Sequence, residues 1–309
     1  MEYELTIVIP VYNRAGIVGR TLDSVRHQTL RPLRVVLVDN NSTDETLHVL
    51  QAWKEHVEGP GFEVTVVSEP KPGAAAARNR GLREVATPFT MFFDSDDIML
   101  PGHAKRALDA FHLDVSPDIV GWDVEYVSPR GKVSLKPFYD KDVMWHTIMH
   151  GSMATQRYAA RTGLFREVGE WDELDRGWDD IELGVRLLAK NPSVFRSGGA
   201  PTVRVIGMAD SITGNAFSPK AAAWERSLDS IERTLDHFGH PTICVDLRRA
   251  HLAGCYIAEG APEEGWRLMA GVLKDTQSRF MRLLLRFACR YTALGGRGVA
   301  RLLRPFFKV

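Results

Sequence analysis

The 309 residues predict an α/β fold, a doubly wound and mostly parallel Rossmann-like sheet followed by a C-terminal α-helical appendix. Three observations carry this. Short apolar or β-branched runs, Leu5 to Ile9, Arg34 to Val38, Val64 to Val67 and Phe89 to Phe93, recur through the N-terminal third. Segments of helical spacing separate them, the alternation that builds parallel sheets. From Pro219 the strands stop, and helical patterns broken by Gly239-His240-Pro241 and Gly260-Ala261-Pro262 take over. A hydrophobic content of 44% supports a real core, and Lys plus Arg equals Asp plus Glu at 39 each, so no overall field draws the chain to nucleic acid.

Pro10 stops the first run, which reads as a buried strand leading into the loop Val11-Tyr12-Asn13-Arg14. Helical spacing follows at Ile17, Leu22 and Val25. The second strand ends in Asp39-Asn40-Asn41-Ser42-Thr43-Asp44, and Ser42 with Glu45 has the spacing of a capping box for a helix burying Leu47, Leu50 and Trp53. After the third strand, Pro72-Gly73 and the alanines 74–77 allow a tight turn into a helix that packs closely or admits a ligand. The fourth strand runs into Asp94-Ser95-Asp96-Asp97, three carboxylates within four residues. Like charges this close oppose full ionisation unless a cation sits among them. Oxygen-only ligands favour Mg2+ or Mn2+, with open positions for the oxygens of a diphosphate. A solvated turn capping a helix near Pro101 accounts for the same residues. Such sheets bind ligands outside the carboxyl ends of their strands, where Asp39 and residues 94–97 both fall.

Ile119 to Val127 reads as a further strand and Gly131 to Met144 as an irregular connection. His146 and His150 stand four apart, a spacing that presents two metal ligands, but no third ligand joins them at a recognised spacing; acceptor contact or packing is the expected use. Asp179-Asp180 opens an apolar helix, where carboxylates complement the dipole. Val203 to Ile206 is the last expected strand, before a loop with Ser211 and Thr213. The chain has no G-x-x-x-x-G-K-[ST] loop, which disfavours a nucleotide triphosphatase.

Pro10-Val11-Tyr12-Asn13, residues 38–44, Ala77-Arg78-Asn79-Arg80-Gly81-Leu82 and Phe93-Asp94-Ser95-Asp96-Asp97 occur in the order and approximate spacing of family 2 glycosyltransferases. Over roughly residues 3–215 the chain resembles that family, which implies an inverting GT-A enzyme moving sugar from a nucleotide-sugar donor. The resemblance implies a glycosyltransferase domain at 1–215, with a nucleotide-sugar half to about residue 100 and an acceptor half beyond it, ahead of a helical region at 216–309. It assigns Asp39 to the uracil of a UDP-sugar, Pro10 and Tyr12 to the base pocket, Arg78 to the nucleotide and Asp94 to ribose or sugar hydroxyls. Asp96 becomes the ligand of Mn2+ or Mg2+, with Asp97 a second ligand or a helix cap. The segments 165–173 and 176–183 resemble the family's acceptor side, with Trp178, Asp179 and Asp180; this chain has Asp179 where the family more often has Glu. Inverting transfer needs a base for the acceptor hydroxyl. Asp180 is expected to be that base, its pKa raised by Asp179 and by the semi-buried setting that Trp178 implies. The expected acceptor is a saccharide or a lipid-linked one, and the expected setting is bacterial cell-surface polysaccharide or glycoconjugate synthesis by a hexosyl- or N-acetylhexosaminyltransferase. Two other readings are a nucleotidyltransferase, whose glycine- and lysine-rich signature is missing near the first strand, and a catalytically silent scaffold that binds nucleotide sugar.

Residues 279–309 hold seven Arg, one Lys and no acid among apolar side chains. That pattern suits an anionic membrane surface, or a helix docked on the core or on a second subunit. Cys244, Cys255 and Cys289 have no C-x-x-C spacing and are expected to be reduced thiols. No signal peptide and no apolar run of about 18 residues are apparent. The expected location is cytoplasmic, peripheral on the inner face of the cytoplasmic membrane.

Overall fold

A computed structural model describes residues 2–208 and 216–307. The chain opens with β1 (Leu5–Val11), α1 (Val18–Arg26), β2 (Leu33–Asp39), α2 (Thr46–Val57), β3 (Phe62–Ser68), α3 (Ala74–Arg83) and β4 (Phe89–Phe92). It continues through β5 (Ile98–Met99), α4 (His103–Phe111), β6 (Ile119–Trp122), β7 (Val124–Val127), β8 (Val133–Lys136) and α5 (Val143–His150). Then come β9 (Tyr158–Arg161), α6 (Thr162–Glu167), α7 (Asp179–Leu188), β10 (Val194–Ser197) and β11 (Val203–Ile206). Five further helices end it: α8 (Ala221–His237), α9 (Ile243–Ala258), α10 (Pro262–Asp275), α11 (Arg279–Ala293) and α12 (Val299–Leu303).

Two compact units result. Of the described residues, the first holds 2–141, 152–174 and 190–208, the second 142–151, 175–189 and 216–307. In the first, seven strands run in the order β10-β6-β9-β4-β1-β2-β3, parallel except β9, which is antiparallel to β4 and β6. Alternation along the strands divides the side chains between two faces. Ile7, Ile9, Val35 and Met91 join Val18 and Leu22 of α1, Leu50 of α2 and Ala107 of α4 in one core. Val8 and Val38 face α3, and Phe92 meets Phe165 of α6 edge-on. A second sheet, β5-β11-β7-β8, flanks the first within the same unit.

Several local expectations need correction. Ile119 to Val127 is not one strand: it breaks at Asp123, with β6 in the large sheet and β7 in the small one. The Asp123 carboxylate accepts the Phe138 amide and pairs with Arg196, and these bonds hold the chain at the crossover. The segment 131–144 contains β8 and the start of α5. The Ser42–Glu45 capping box does not form, because Ser42 Oγ accepts the Asn13 amide instead and α2 starts at Thr46, whose N–H is taken by Asp44.

In the second unit Trp178, Ile181, Trp224, Leu228, Ala250, Leu285 and Leu303 share one core. The helix that begins at Asp179 therefore packs with the C-terminal helices. Gly254 of α9 permits the approach of α11, since a Cβ there would lie 2.5 Å from the Cys289 carbonyl oxygen. The three cysteines are free thiols.

Gly81 sets the distance between α3 and the sheet. A Cβ at this position would sit 2.3 Å from Val8 Cγ1 and 3.0 Å from Val38 Cγ2. Gly81→Ala should therefore cost about 1–3 kcal/mol by overpacking, read as a lower denaturation midpoint with an unchanged slope.

Candidate functional site

In the first unit the candidate residues gather where β1, β2 and β4 end. Val11 and Asp39 are paired in register, which sets the Tyr12 loop beside the Asp39 carboxylate. Tyr12 is 55% exposed, whereas Asp39 is buried. Asp39 Oδ2 accepts the Ser42 amide at 3.3 Å, and its buried Oδ1 has no hydrogen-bond partner among the described residues. A buried acceptor left unpaired is costly, and a base imide N–H would satisfy it.

Asn40, which sequence reasoning passed over, braces this floor. Its N–H donates to Val11 O, its Nδ2 to the carbonyls of Glu69 and Lys71, and its Oδ1 accepts the Gly73 amide. Gly73 enters α3 at φ +131°, a conformation that favours glycine. Asn79 makes a second brace, exchanging bonds with the backbone of Trp171 and donating to Glu173. An acceptor–donor amide is needed to do both jobs, and the asparagine at each position supplies it.

Arg78 lies between these features and the acidic turn. It is buried, with its guanidinium 4.4 Å above the Trp171 ring and Nη2 donating to Asp94 Oδ1 at 3.1 Å. Asp94 and Arg78 are thus brought together. At the turn itself, Thr21 Oγ1 lies within bonding distance of the Ser95 and Asp97 carbonyls, and Arg20 donates to the Asp96 carbonyl. Burial, then the charge of Asp94, pushes the Asp96 pKa up, against the pull of Arg14 and Arg20. Asp97 is 2% exposed and is pushed up further, by burial, then Asp94, then Asp96. It does not cap α4, whose N-cap is Gly102 without a side-chain bond; its Oδ1 accepts the Ile206 amide at 2.8 Å instead.

These carboxylates fit a hard divalent cation, because a positive charge would offset the burial and the mutual repulsion that raise the Asp96 and Asp97 pKa values. Among the described residues no three His, Cys, Asp or Glu side chains form a ready cage. Ser211 and Thr213 lie outside the described residues.

The residues expected on the acceptor side, Trp178, Asp179 and Asp180, belong to the second unit. Trp178 is buried, its ring 5.0 Å from Trp224 and under the Arg248 guanidinium at 4.3 Å. Asp179 and Asp180 occupy the first turn of α7, where Asp179 Oδ1 accepts the Asp180 amide and Asp180 Oδ1 the Ile181 amide. The turn before them is clamped. Asp175 Oδ1 accepts from Ser227 Oγ at 2.6 Å and from the Gly177 amide, and Ser227 Oγ accepts the Trp178 amide. Asp175 was not singled out from sequence; burial pushes its pKa up to about 6.

Residues 6–159 match the family model described as Glycosyl transferase family 2. The chain is 35% identical over 134 residues to the succinoglycan biosynthesis protein ExoW of Rhizobium meliloti (strain 1021), an alignment covering 40% of each chain. It is 27% identical over 190 residues to a PGL/p-HBAD biosynthesis glycosyltransferase of Mycobacterium bovis (strain BCG / Pasteur 1173P2), covering 61% of this chain and 71% of that one. Among solved structures, S. aureus TarS 1–349 in complex with UDP-GlcNAc superposes with a TM-score of 0.69 at 16% identity, over 98% of this chain and 92% of that one. That likeness shows a GT-A fold.

A carboxyl whose folded pKa lies above its unfolded one holds its proton more tightly when folded, so its stability contribution is lost as pH rises through the folded value. Between about pH 4 and 6 Asp175 should therefore cost the fold increasing stability, on the order of 2 kcal/mol above pH 6. Asp175→Asn keeps the accepting oxygen and removes the charge. Melting curves should show the variant matching or exceeding wild type at pH 7.5, with the advantage vanishing near pH 4.

The order of the four motifs, the matched family model and the GT-A architecture agree, and the chain belongs to glycosyl transferase family 2.

Proposed function

We propose that this protein is a metal-dependent inverting glycosyltransferase that moves a sugar from a UDP-sugar to an acceptor hydroxyl in the synthesis of a surface polysaccharide or glycoconjugate. The observation that carries the reading is the unpaired, buried Asp39 Oδ1 beside Tyr12, on the same strand-end edge as the carboxylates of residues 94–97. A solved structure of the same fold contains UDP-GlcNAc, and relatives are named for succinoglycan and PGL/p-HBAD biosynthesis, which supports a nucleotide-sugar donor and a glycan product. Family membership argues against the nucleotidyltransferase alternative.

Asp39 would accept the N–H of uracil, with Pro10 and Tyr12 along the base. Arg78 holds Asp94, which would orient ribose or sugar hydroxyls. Asp96, with Asp97 as a second ligand, would hold Mn2+ or Mg2+, which when bound supplies positive charge against the diphosphate leaving group. The acceptor oxygen attacks the anomeric carbon from the face opposite the diphosphate, the sugar–diphosphate bond breaks, and Asp180 takes the hydroxyl proton. Asp179 and the buried Trp178 would shape the acceptor side.

The basic tail adds a peripheral membrane role. One face of α11 is core, with Leu285, Ala288 and Cys289 buried. The other exposes Phe280, Leu283, Phe287 and Leu294 among Arg279, Arg286 and Arg290. Each basic residue near an anionic bilayer adds about 1 kcal/mol of attraction. No helix of the described residues is long and apolar enough to cross a membrane. Removing residues from 279 onward would delete core side chains, so substitution is the cleaner test. Phe280→Ser with Phe287→Ser should cut sedimentation with anionic vesicles at least tenfold; unchanged sedimentation would refute the membrane role.

The reaction is tested by calorimetry of UDP against GDP, in Mn2+ and in EDTA. UDP should bind selectively and only with metal, and Asp96→Asn should abolish that binding. Asp180→Asn should leave UDP affinity within a few fold while lowering transfer by roughly 10²–10⁴. Transfer that survives in Asp180→Asn would remove Asp180 from the role of base.

A further inference from the structure

Several elements of the first unit converge on Trp171. After α6 the chain turns back through Gly169 at φ +84° and Glu170 at φ +62°. A glutamate in the left-handed region is strained and persists only where surrounding contacts fix the turn. Two of those contacts are the Gly169 and Glu170 amides, which donate to the carbonyls of Arg166 and Phe165 at 3.1 and 2.9 Å. The turn delivers Trp171 to α3, where Asn79 grips its backbone from both sides. The Trp171 N–H donates to Asn79 Oδ1 at 2.9 Å, and Asn79 Nδ2 donates to the Trp171 carbonyl at 3.0 Å. The side chain is 2% exposed and stands edge-on to Phe92 of β4, with centroids 5.3 Å apart.

The indole N–H is buried and has no hydrogen-bond partner among the described residues. Packing alone would be served by phenylalanine, which carries no donor to leave unpaired. What tryptophan adds is the strongest cation–π face. That face carries the Arg78 guanidinium, 4.4 Å from the ring centroid, and Arg78 is itself buried, so little water competes for the cation. From there Arg78 Nη2 reaches Asp94 Oδ1 at 3.1 Å. The contacts run in series from Asn79 through Trp171 and Arg78 to Asp94, all within one unit.

We propose that Trp171 is a positioning residue of the donor site, its indole face holding the Arg78 guanidinium against Asp94 so that both are in place before a nucleotide arrives. The proposal rests on the reading of Arg78 and Asp94 as donor-binding residues. An arginine released from the ring would regain rotamer freedom that nucleotide binding must then remove. Part of the donor affinity is thus preorganisation, supplied by a side chain that is itself enclosed.

The test is a double-mutant cycle on UDP affinity, measured by calorimetry in Mn2+ with Trp171→Leu, Arg78→Met and the two combined. Trp171→Leu removes the π face and should weaken UDP about tenfold or more, as should Arg78→Met. Trp171→Phe keeps a π face and should stay within about threefold of wild type. In the Arg78→Met background, Trp171→Leu should add less than about a twofold loss, because the guanidinium it holds is gone. A second loss in that background as large as the first would show that Trp171 acts independently of Arg78, and would overturn the proposal. So would wild-type affinity in Trp171→Leu, or affinity in Trp171→Phe as poor as in the leucine variant. Trp171→Met, flexible and without a π face, supplies the same comparison if the leucine variant does not fold. Failure of the underlying reading shows separately, as wild-type UDP affinity in Arg78→Met.

Discussion

Burial and neighbouring charge oppose the ionisation of Asp96 and Asp97 in the turn after β4, and much of the first unit is arranged around that constraint. Thr21 bonds at the turn's carbonyls, Arg20 ties another, Arg78 takes one Asp94 oxygen, and Asp97 is pinned by the Ile206 amide. The last of these bonds matters for topology as well as charge. Asp97 is followed directly by β5, which pairs with β11, and β11 ends at Ile206. One carboxylate thus marks the place where the large sheet passes the chain to the small one. Asp97 joins structure and chemistry in a single side chain.

The alternation of strands and helices was legible in the sequence because the first, second and fourth strands are apolar runs buried on both faces, while the edge strand β3 keeps an apolar run with partly exposed positions. Leu5–Val11 and Leu33–Asp39 have almost no exposed position, as a central parallel strand requires. The break at Asp123 was not legible. A pattern of apolar residues from 119 to 127 contains no turn signal, and what divides it is a carboxylate satisfied by Phe138 and Arg196, partners far along the chain. The Ser42 cap failed for a similar reason. Its hydroxyl had two possible donors, and the Asn13 amide across the β1–β2 edge took precedence over the helix.

The candidate site divides the same way. Asp39, Asp94, Asp96 and Asp97 announced themselves as acids at strand ends, where function and topology coincide. Asn40 and Asn79 did not, because an asparagine in a loop or helix is ordinarily read as a turn or cap residue, and their bracing is visible only once three loops are brought together. Asp179 and Asp180 stood out as a pair, yet nothing local indicated that their helix would share a core with Trp224 and Leu285. The partners that decide that packing lie tens of residues downstream. Arg248 is the clearest omission: an arginine beside Arg249 in a helical pattern gives no hint that it will stack on Trp178.

Helix α11 is amphipathic in an unusual sense, since neither of its faces is polar in the ordinary way. Its inner stripe closes a core, and its outer stripe alternates aromatic and aliphatic side chains with arginine. Anything that grips the outer stripe preferentially in the folded state adds its own free energy to the stability of the bundle behind it. A bilayer would then behave as a ligand of folding. The melting temperature of the second unit would become a function of lipid composition, a thermodynamic coupling between the environment and a core that the environment never enters.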